Sequence, residues 1–349
     1  MTDLLIAMSG GIDSAVAAWK MKQDGYNCHA ATMKLSEYGI IDEAQSIAQK
    51  LEIPFRVFDF TNEFRTQVIA PFVQAYLEGR TPNPCVECNR SIKFTHFLRK
   101  AKEVGPELGI VRIATGHYAQ IEYDATNNRY HLKKAVDETK DQSYVLYTLT
   151  QAQLAQTVFP LGTLRKSEVR QIAESLGFTS AEKRESQDLC FVPDGDYAAF
   201  IEQYTQQSSL SGDFVDKTGK VLGKHKGLIR YTIGQRKGLG IGTHIPYYVC
   251  EHNVKENRVI LGSESDLHVH TLTATDINLI AVDRIESPMR AIVKVRYRQK
   301  GDLATVSQID SDTLRIVFDE PQKGVAKGQA AVLYDGDYVV GGGTIVATK

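Results

Sequence analysis

The sequence lacks any uncharged apolar run of membrane-spanning length, which takes about 20 residues. Its first residues also lack the charged and then apolar pattern of a secretory signal peptide. On both counts we expect a cytoplasmic protein.

Cysteine is scarce, with 5 in 349 residues. An odd number in a chain of this length argues against a disulfide framework and for thiols that are individually reactive or buried. We expect Cys28, which lies in a strand-like run, to be a buried and inert thiol. The others are Cys85, Cys88, Cys190 and Cys250.

A strong excess of charge of either sign is also missing, since the formal net charge is −1. A nucleic-acid surface must therefore come from local clusters of basic residues. Residues 217–240 contain basic but no acidic side chains. In the run 294–300, which we predict to be a strand, every second residue is Lys or Arg, so these side chains would share one face. We interpret both clusters as an RNA surface; a solvated charged surface is the alternative.

The composition, with 42% hydrophobic and 24% charged residues, is that of a globular protein of two or three domains. Residues 1–120 alternate short apolar runs with helical patterns, which predicts an α/β domain with a parallel sheet. From residue 210 glycine-rich β-like runs replace helices, and alternating segments after residue 265 predict a small β-barrel. We expect an α/β domain, a small mixed linker domain and a C-terminal β-barrel at residues 1–195, 196–264 and 265–349.

An apolar run that ends at Ala7 is followed by Ser-Gly-Gly-Ile-Asp-Ser at positions 9–14 and then by a helical pattern. Adjacent glycines let backbone N–H groups converge at a helix N-terminus, which favours a phosphate or pyrophosphate. The loop fits neither the Walker A nor the dinucleotide fingerprint, and an ordinary glycine-rich turn is the alternative. Because Asp13 cannot bind phosphate directly, we expect it to hold Mg²⁺ on a triphosphate or to fix the loop by a hydrogen bond.

Two further polar loops carry cysteines, at positions 79–90 and 185–192. Pro82 and Pro84 bracket Asn83 in the first loop, which predicts a stiff extended segment. The Cys85-x-x-Cys88 spacing permits a structural zinc site, a thioredoxin-type pair, or a reactive Cys88 that meets Cys190 over the phosphate site.

Six motifs occur in the order and approximate spacing of one known family: SGGIDS (9–14), GRTPNPCVECN (79–89), ATGHY (114–118), KDQSY (140–144), SQDLCFV (186–192) and YTIGQRKGLG (231–240). On these motifs the chain resembles the bacterial tRNA-specific 2-thiouridylases of the ATP-pyrophosphatase superfamily. The resemblance implies an adenine nucleotide alpha-hydrolase-like N-terminal domain. It also implies ATP-dependent replacement of the C2 oxygen of the tRNA wobble uridine by sulfur, through adenylation and a cysteine persulfide.

By residue, the resemblance implies that Cys88 is a nucleophile and Cys190 the persulfide carrier. The implied ATP-binding residues are Ala7, Met8, Ser9, Gly10, Gly11, Ile12, Asp13, Ser14, Met33 and Gly116. The implied target-base and tRNA contacts are Asn83, Pro84, Cys85, His117, Lys140, Asp141, Gln142, Arg296, Tyr297 and Gln329. One departure is that many relatives carry a longer, cysteine-containing segment after the position of Leu35.

The resemblance implies ATP, Mg²⁺ and tRNA as ligands, with no metal site formed by protein alone, and a cysteine desulfurase or sulfur-relay protein as sulfur donor. Three alternatives remain. Cys85, Cys88 and Cys190 could hold an iron–sulfur cluster that presents sulfide. The phosphate loop alone would also suit a synthetase that adenylates a small-molecule carboxyl or carbonyl group. Finally, a non-catalytic RNA-binding protein could retain the nucleotide fold.

Overall fold

The computed structural model describes residues 2–36, 41–178, 189–192, 194–242 and 245–349. It confirms the predicted fold class, with a parallel α/β sheet, a small mixed sheet and a closed C-terminal antiparallel barrel in chain order. None of the helices in these ranges is both long and apolar enough to cross a bilayer.

The described N-terminal strands are β1 (Asp3–Ala7), β2 (Asn27–Lys34), β3 (Phe55–Asp59), β4 (Ile110–Ala114), β5 (Gln120–Asp124), β6 (Arg129–Lys133) and β7 (Thr157–Val158). Five of them form a parallel sheet in the order β3-β2-β1-β4-β7. Leu4, Leu5 and Ile6 of the central strand are completely buried, since both faces of the sheet are covered. The strand order reverses between β1 and β4, where open α/β sheets bind ligands at their carboxyl edge.

The described helices are α1 (Ile12–Gln23), α2 (Ile41–Lys50), α3 (Thr61–Phe64), α4 (Ala70–Leu77), α5 (Pro84–Glu87), α6 (Phe97–Leu108), α7 (Gln151–Ala155), α8 (Lys166–Ser175) and α9 (Tyr197–Thr205). Two π-helical segments, Arg65–Ile69 and Cys88–His96, join α3 to α4 and α5 to α6. π-Helical turns are rare and are found frequently at functional sites.

The expectation of an extended segment around the prolines is wrong beyond Asn83. A helix begins at Pro84. Proline is well tolerated at the first helical position, because the N–H group that it lacks would have no intrahelical partner there. The Asn83 side chain caps this helix by accepting from the N–H groups of Cys85 at 3.2 Å and Val86 at 3.4 Å. Cys85 and Cys88 therefore stand on helical backbone rather than on an extended loop.

The small mixed domain contains β8 (Gly212–Asp216), β9 (Val221–His225), β10 (Tyr248–Asn253) and β11 (Arg258–Gly262). Their order is β10-β11-β8-β9, with β11 and β8 parallel. Phe214 is fully buried at the centre of this domain, against Tyr231 at a ring distance of 5.0 Å.

The barrel contains β12 (His268–Leu279), β13 (Met289–Lys294), β14 (Asp302–Gln308), β15 (Leu314–Lys323), β16 (Ala330–Asp335) and β17 (Tyr338–Thr348). Pairing of β12 with both β15 and β17 closes it. The hairpin β5–β6 extends the barrel sheet by pairing Lys133 with Tyr338. The α/β domain and the barrel also share one apolar core, in which Phe94 and Leu146 join Val332 and Tyr334.

The predicted strand through residue 300 is wrong, because β13 ends at Lys294. The chain then turns: Gln299 Oε1 accepts from the Val295 N–H at 3.0 Å, and Gly301 adopts φ +89°. Arg296 and Arg298 are exposed in this turn and do not continue a strand face. Basic residues at every second position do not by themselves distinguish a strand from an exposed turn, because the intervening positions carry only one aliphatic residue, Val295.

Candidate active site

The loop at residues 9–14 joins the carboxyl end of β1 to α1 in a tight turn. Gly10 has φ +78°, which glycine adopts without strain. The Ser14 hydroxyl donates a hydrogen bond to the Gly11 carbonyl at 2.9 Å. It also accepts one from the Ser9 N–H at 3.1 Å. Ser14 thus closes the turn, and the first turn of α1 supplies amide groups suited to an anion.

Gly116 brings the loop after β4 against this turn. A side-chain carbon at Gly116 would lie 2.9 Å from both the Asp13 carbonyl carbon and the Ser14 nitrogen, so only glycine fits there. Ala7 and Met8 are buried at the end of β1, and Met33 is half-buried on the adjacent β2. The residues expected at an ATP pocket therefore cluster at the switch point of the sheet.

Asp13 is held by two side chains from other elements. Lys166 Nζ donates to its carboxylate oxygens at 2.6 and 2.8 Å, and the Tyr118 hydroxyl donates at 2.7 Å. Of the two roles expected for Asp13, these contacts favour fixing the loop over binding Mg²⁺, because both oxygens already accept hydrogen bonds.

Lys166 is a site residue that the motif analysis missed. It is the first residue of α8, and only 8% of its side chain is exposed. A lysine is unfavourable at a helix N-terminus, where the helix dipole is positive. This unusual position is the feature of the sequence that could have identified Lys166 as a site residue. In the structure, its buried ammonium group stands beside the phosphate-type turn.

Lys166→Met should slow pyrophosphate release from ATP in the presence of tRNA by about 10²-fold, the usual cost of removing one preorganised charge-stabilising group. Asp13→Ala should have a similar effect, because the turn loses its anchor. Lys20→Met is the matched control and should release pyrophosphate normally, because Lys20 is a half-buried lysine of α1 that pairs with Asp24 at 3.0 Å. Wild-type release by Lys166→Met would exclude the lysine from the phosphate site.

Three of the free thiols lie near enough to one another to affect one another's pKa. Cys88 is buried at the start of the π-helical segment, whereas Cys85 and Cys190 are exposed. Desolvation is the main cause that raises the pKa of Cys88 to about 11; the neighbouring thiols of Cys190 and Cys85 also raise it, and Lys93 lowers it. Cys85 likewise contributes to the raised pKa of Cys190. Cys88 and Cys190 are therefore close enough to influence each other electrostatically, although they belong to separate loops; residues 185–188 of the second cysteine loop lie outside the described ranges.

The remaining thiols lie elsewhere. Cys28 is buried in β2, where desolvation raises its pKa to about 11, as befits an unreactive thiol. Cys250 lies in β10 and donates to the Tyr248 carbonyl oxygen at 3.5 Å.

Lys93 supplies positive charge to the cluster. It lies five residues after Cys88 in the same π-helical segment. Because a π-helix forms i to i+5 hydrogen bonds, Lys93 lies one turn after Cys88 on the same side of the helix. Its charge lowers the pKa of Cys85, Cys88 and Cys190 and so opposes the effect of desolvation. In the part of the chain that the structure describes, Lys93 forms no ion pair with a carboxylate. The motif analysis missed it because nothing local distinguishes this lysine from a surface one.

Lys93→Met should shift the alkylation of Cys88 and Cys190 to higher pH. The lysine charge lowers both thiol pKa values, so its loss raises them and reduces the reactive thiolate fraction at any pH below the pKa. Rates of iodoacetamide labelling from pH 7 to 10, read by peptide mass spectrometry, measure the shift. Lys93→Arg should retain the wild-type profile, as should Lys102→Met, which removes an exposed lysine of α6. An unshifted profile in Lys93→Met would refute the electrostatic role.

No group of three or more His, Cys, Asp or Glu side chains is placed to hold a metal ion within the described ranges.

Several residues expected to touch tRNA instead organise the site. Asp141 is buried and accepts from the Ala135 N–H at 3.1 Å and the Ser143 hydroxyl at 2.8 Å. Gln142 Oε1 accepts from the Tyr118 N–H at 2.9 Å. Lys140 next to them is half-buried. This segment therefore shapes the turn that carries Tyr118 to Asp13.

His117 is enclosed rather than open to a ligand. Its ring lies 5.7 Å from that of Phe94 and 5.8 Å from that of Phe159, and a 2.7 Å hydrogen bond joins its Nδ1 to Thr115 Oγ1. Burial, and then Lys93, hold the pKa of His117 well below its usual range, so the ring is neutral.

The barrel contributes directly to the thiol cluster. Tyr297 is 38% exposed, and its ring lies 5.9 Å from that of Tyr144 in a tilted arrangement. Desolvation, and then nearby Asp141 and Cys85, raise the pKa of Tyr297 to about 12. The adjacent Arg296 donates to the Lys323 carbonyl at 2.8 Å and remains exposed. The turn after β13 thus brings the Tyr297 ring near Cys85.

Comparisons with known proteins cover nearly the whole chain. Three family models match: "tRNA methyl transferase HUP domain" over residues 2–194, "tRNA methyl transferase PRC-barrel domain" over 198–263, and "Aminomethyltransferase beta-barrel domain" over 269–345. Proteins named "tRNA-specific 2-thiouridylase MnmA" are similar over their full length. That of Clostridioides difficile is 45% identical across 98% of this chain and 97% of its own, and that of Acetivibrio thermocellus is 46% identical across 98% of both.

Proposed function

The chain belongs to the tRNA-specific 2-thiouridylase family, and we propose that it uses ATP to replace the C2 oxygen of the tRNA wobble uridine by sulfur. The observation that carries this proposal is the proximity of Cys88 and Cys190, seen in their electrostatic influence on each other, in a chain that also has the phosphate-type turn. Thiols are reactants in sulfur transfer, whereas the methyl transfer that two of the matching families are named for requires none.

Activation comes first, since a uridine C2 oxygen is a very poor leaving group. We propose that this oxygen attacks the α-phosphorus of ATP and expels pyrophosphate, so that it can later depart as part of AMP. Amide groups at the start of α1 and the Lys166 ammonium group would offset the charge of the pyrophosphate. Mg²⁺, brought with the triphosphate, would neutralise further charge there.

Sulfur transfer then uses both cysteines. A persulfide on Cys190, supplied by a cysteine desulfurase or sulfur-relay protein, attacks C2 through its outer sulfur and displaces AMP. The Cys88 thiolate next attacks the Cys190 sulfur. The bond between the two persulfide sulfurs breaks, 2-thiouridine is released, and a Cys88–Cys190 disulfide forms, which a thiol reductant returns to two thiols. Lys93 would favour the thiolate that each step requires.

The tRNA would bind across all three domains. Residues 1–195 would carry out the chemistry, and residues 196–264 and 265–349 would contact the RNA. The reaction would take place in the cytoplasm. The basic segment 217–240 is partly neutralised: three of its cations pair with carboxylates, namely Lys217 with Asp266, Lys224 with Asp213 and Arg230 with Glu202. Exposed Arg236 and Lys237, together with exposed Arg296 in the turn after β13, are stronger candidates for phosphate contact. Asn83 and Pro84, beside Cys85, would border the target base.

Cys88→Ser and Cys190→Ser should each abolish 2-thiouridine formation while pyrophosphate release persists, because activation needs ATP and a positioned base but no thiol. Nucleoside mass spectrometry of the tRNA and a pyrophosphate assay measure the two steps. Cys28→Ser and Cys250→Ser are the matched controls and should remain active. Cys85→Asp should retain substantial activity under the persulfide mechanism.

Two outcomes would contradict the proposal. Active Cys190→Ser alongside inactive, iron-depleted Cys85→Asp would favour an iron–sulfur cluster as the sulfur source. The protein could instead release no pyrophosphate with tRNA but release it with a small carboxylate or carbonyl acceptor. That result would favour a synthetase that adenylates small molecules.

A further inference from the structure

The two residues after Cys88 tie the π-helical segment to its surroundings. Asn89 is buried, and its Nδ2 donates to the Val145 carbonyl at 3.0 Å. Arg90 Nη1 donates to Asp276 Oδ2 of barrel strand β12 at 2.5 Å. Residues two positions apart on a helix do not share a face. The Cys88 thiol and the ion pair of Arg90 therefore lie on different sides of one short segment.

A distortion of β12 presents Asp276. This residue has φ +53°, a left-handed conformation that few residues other than glycine, asparagine and aspartate adopt. The register of β12 against β17 shifts between Thr275 and Asn278, as in a β-bulge, which re-aims the side chains of a strand. Asn278 Nδ2 donates to the carbonyls of Tyr147 at 2.7 Å and Leu149 at 3.0 Å. The bulge thus directs two barrel side chains at the α/β domain.

The neighbouring strand β17 leaves room for this bulge. A side-chain carbon at Gly341 would lie 2.3 Å from the Asn278 carbonyl oxygen, and one at Gly343 would lie 2.9 Å from that of Thr275. Because both positions lack a side chain, β12 can approach β17 closely at the bulge. The sequences of two strands therefore fix the place of Asp276.

Packing leaves the Arg90 side of the segment open. Arg90, Tyr147, Asp276 and Thr344 line a cavity of about 590 Å³ between the α/β domain and the barrel. A side chain that faces a cavity lacks partner atoms on that side, so packing does not fix the orientation of the segment there. The ion pair spans this open side. Its side chains are 32% and 59% exposed, and so exposed a pair adds little to stability. Orientation explains the bulge better than stability does.

The barrel also contacts the target-base loop, residues 79–83, which precedes Cys88. Gln329 Nε2 donates to the carbonyls of Thr81 at 2.9 Å and Pro82 at 3.2 Å. The tRNA contact expected for Gln329 stays a prediction. The barrel thus contacts the chain both before and after Cys88.

We propose that Arg90 is a positioning residue, which together with Asp276 fixes the orientation of the π-helical segment and so aims the Cys88 thiol at Cys190. Arg90 acts through the backbone that it shares with Cys88. This assignment rests on the proposed function, because the aim of the thiol matters only if Cys88 attacks the sulfur of Cys190.

Arg90→Met and Asp276→Asn each break the ion pair, and asparagine tolerates the left-handed backbone at residue 276. Each should slow single-turnover thiolation at saturating tRNA by about threefold to tenfold, because a partly exposed pair biases the orientation of the segment only modestly. The double variant should be no slower than the slower single one, since both changes remove the same contact. Arg90→Lys should keep most of the rate, because the contact uses a single nitrogen.

Oxidation of the reduced protein by diamide, without ATP or tRNA, supplies a readout independent of the whole reaction. The rate of Cys88–Cys190 disulfide formation, followed by peptide mass spectrometry, should fall in both single variants. One variant removes a cation and the other an anion. An electrostatic effect on the thiols would therefore change the two rates in opposite directions, whereas lost orientation slows both.

The ion pair of Arg290 and Asp319 is the matched control. Arg290 Nη1 donates to Asp319 Oδ1 at 2.9 Å, and both residues belong to barrel strands, so this pair does not join two domains. Arg290→Met and Asp319→Asn should leave thiolation and disulfide formation unchanged.

Unchanged disulfide formation in Arg90→Met and Asp276→Asn, or its absence from the oxidised wild type, would overturn the assignment. So would additive losses in the double variant. Weaker tRNA binding with a reduced salt slope in Arg90→Met alone, together with unchanged disulfide formation, would make Arg90 an RNA contact instead. If the wild type thiolates no tRNA, the proposed function fails, while the oxidation rates still decide whether Arg90 positions Cys88.

Discussion

The close approach of two strand ends is the constraint on which this site depends. The loop after β4 can lie against the turn after β1 only because residue 116 has no side chain. That approach carries Tyr118 to Asp13, and Asp13 also receives Lys166 from the start of α8. One edge of the sheet thereby assembles three parts: a phosphate-type turn, a buried cation and the chain leading to His117. This edge lies at the point where the strand order reverses.

Electrostatics decides which chemistry this edge can support. Desolvation is the largest of the effects that raise the pKa of the Cys88 thiol to about 11, and the charge of Lys93 on the same helical segment opposes it only in part. The thiol is therefore protonated at neutral pH before reaction, and Lys93 assists its conversion to the thiolate. We propose that Lys166 plays the corresponding part for phosphate. In this proposal the two lysines mark a region for activation by ATP and a region for sulfur transfer, with the target base expected between them.

The fold was largely predictable from the sequence, because apolar runs such as Leu4–Ile6 and helical patterns such as that of α2 are local signals. The phosphate turn and the two cysteine loops were recognisable for the same reason. Local patterns failed at Pro84, where a helix begins, and after Lys294, where a strand ends. They also failed to find Lys166, Lys93 and the ion pair of Arg90 with Asp276, because the partners of these side chains come from distant parts of the chain or depend on π-helical winding.

The three domains form one working unit, since the barrel brings Tyr297 near Cys85 and pairs Asp276 with Arg90, while the mixed domain touches Gly79. The central claim is that Cys190 delivers sulfur and Cys88 releases it. The most direct measurement is a single turnover without reductant, starting from the Cys190 persulfide, with ATP and unmodified tRNA. We predict one Cys88–Cys190 disulfide, identified by peptide mass spectrometry, for each 2-thiouridine formed. Stoichiometric 2-thiouridine with both thiols still free would contradict the account.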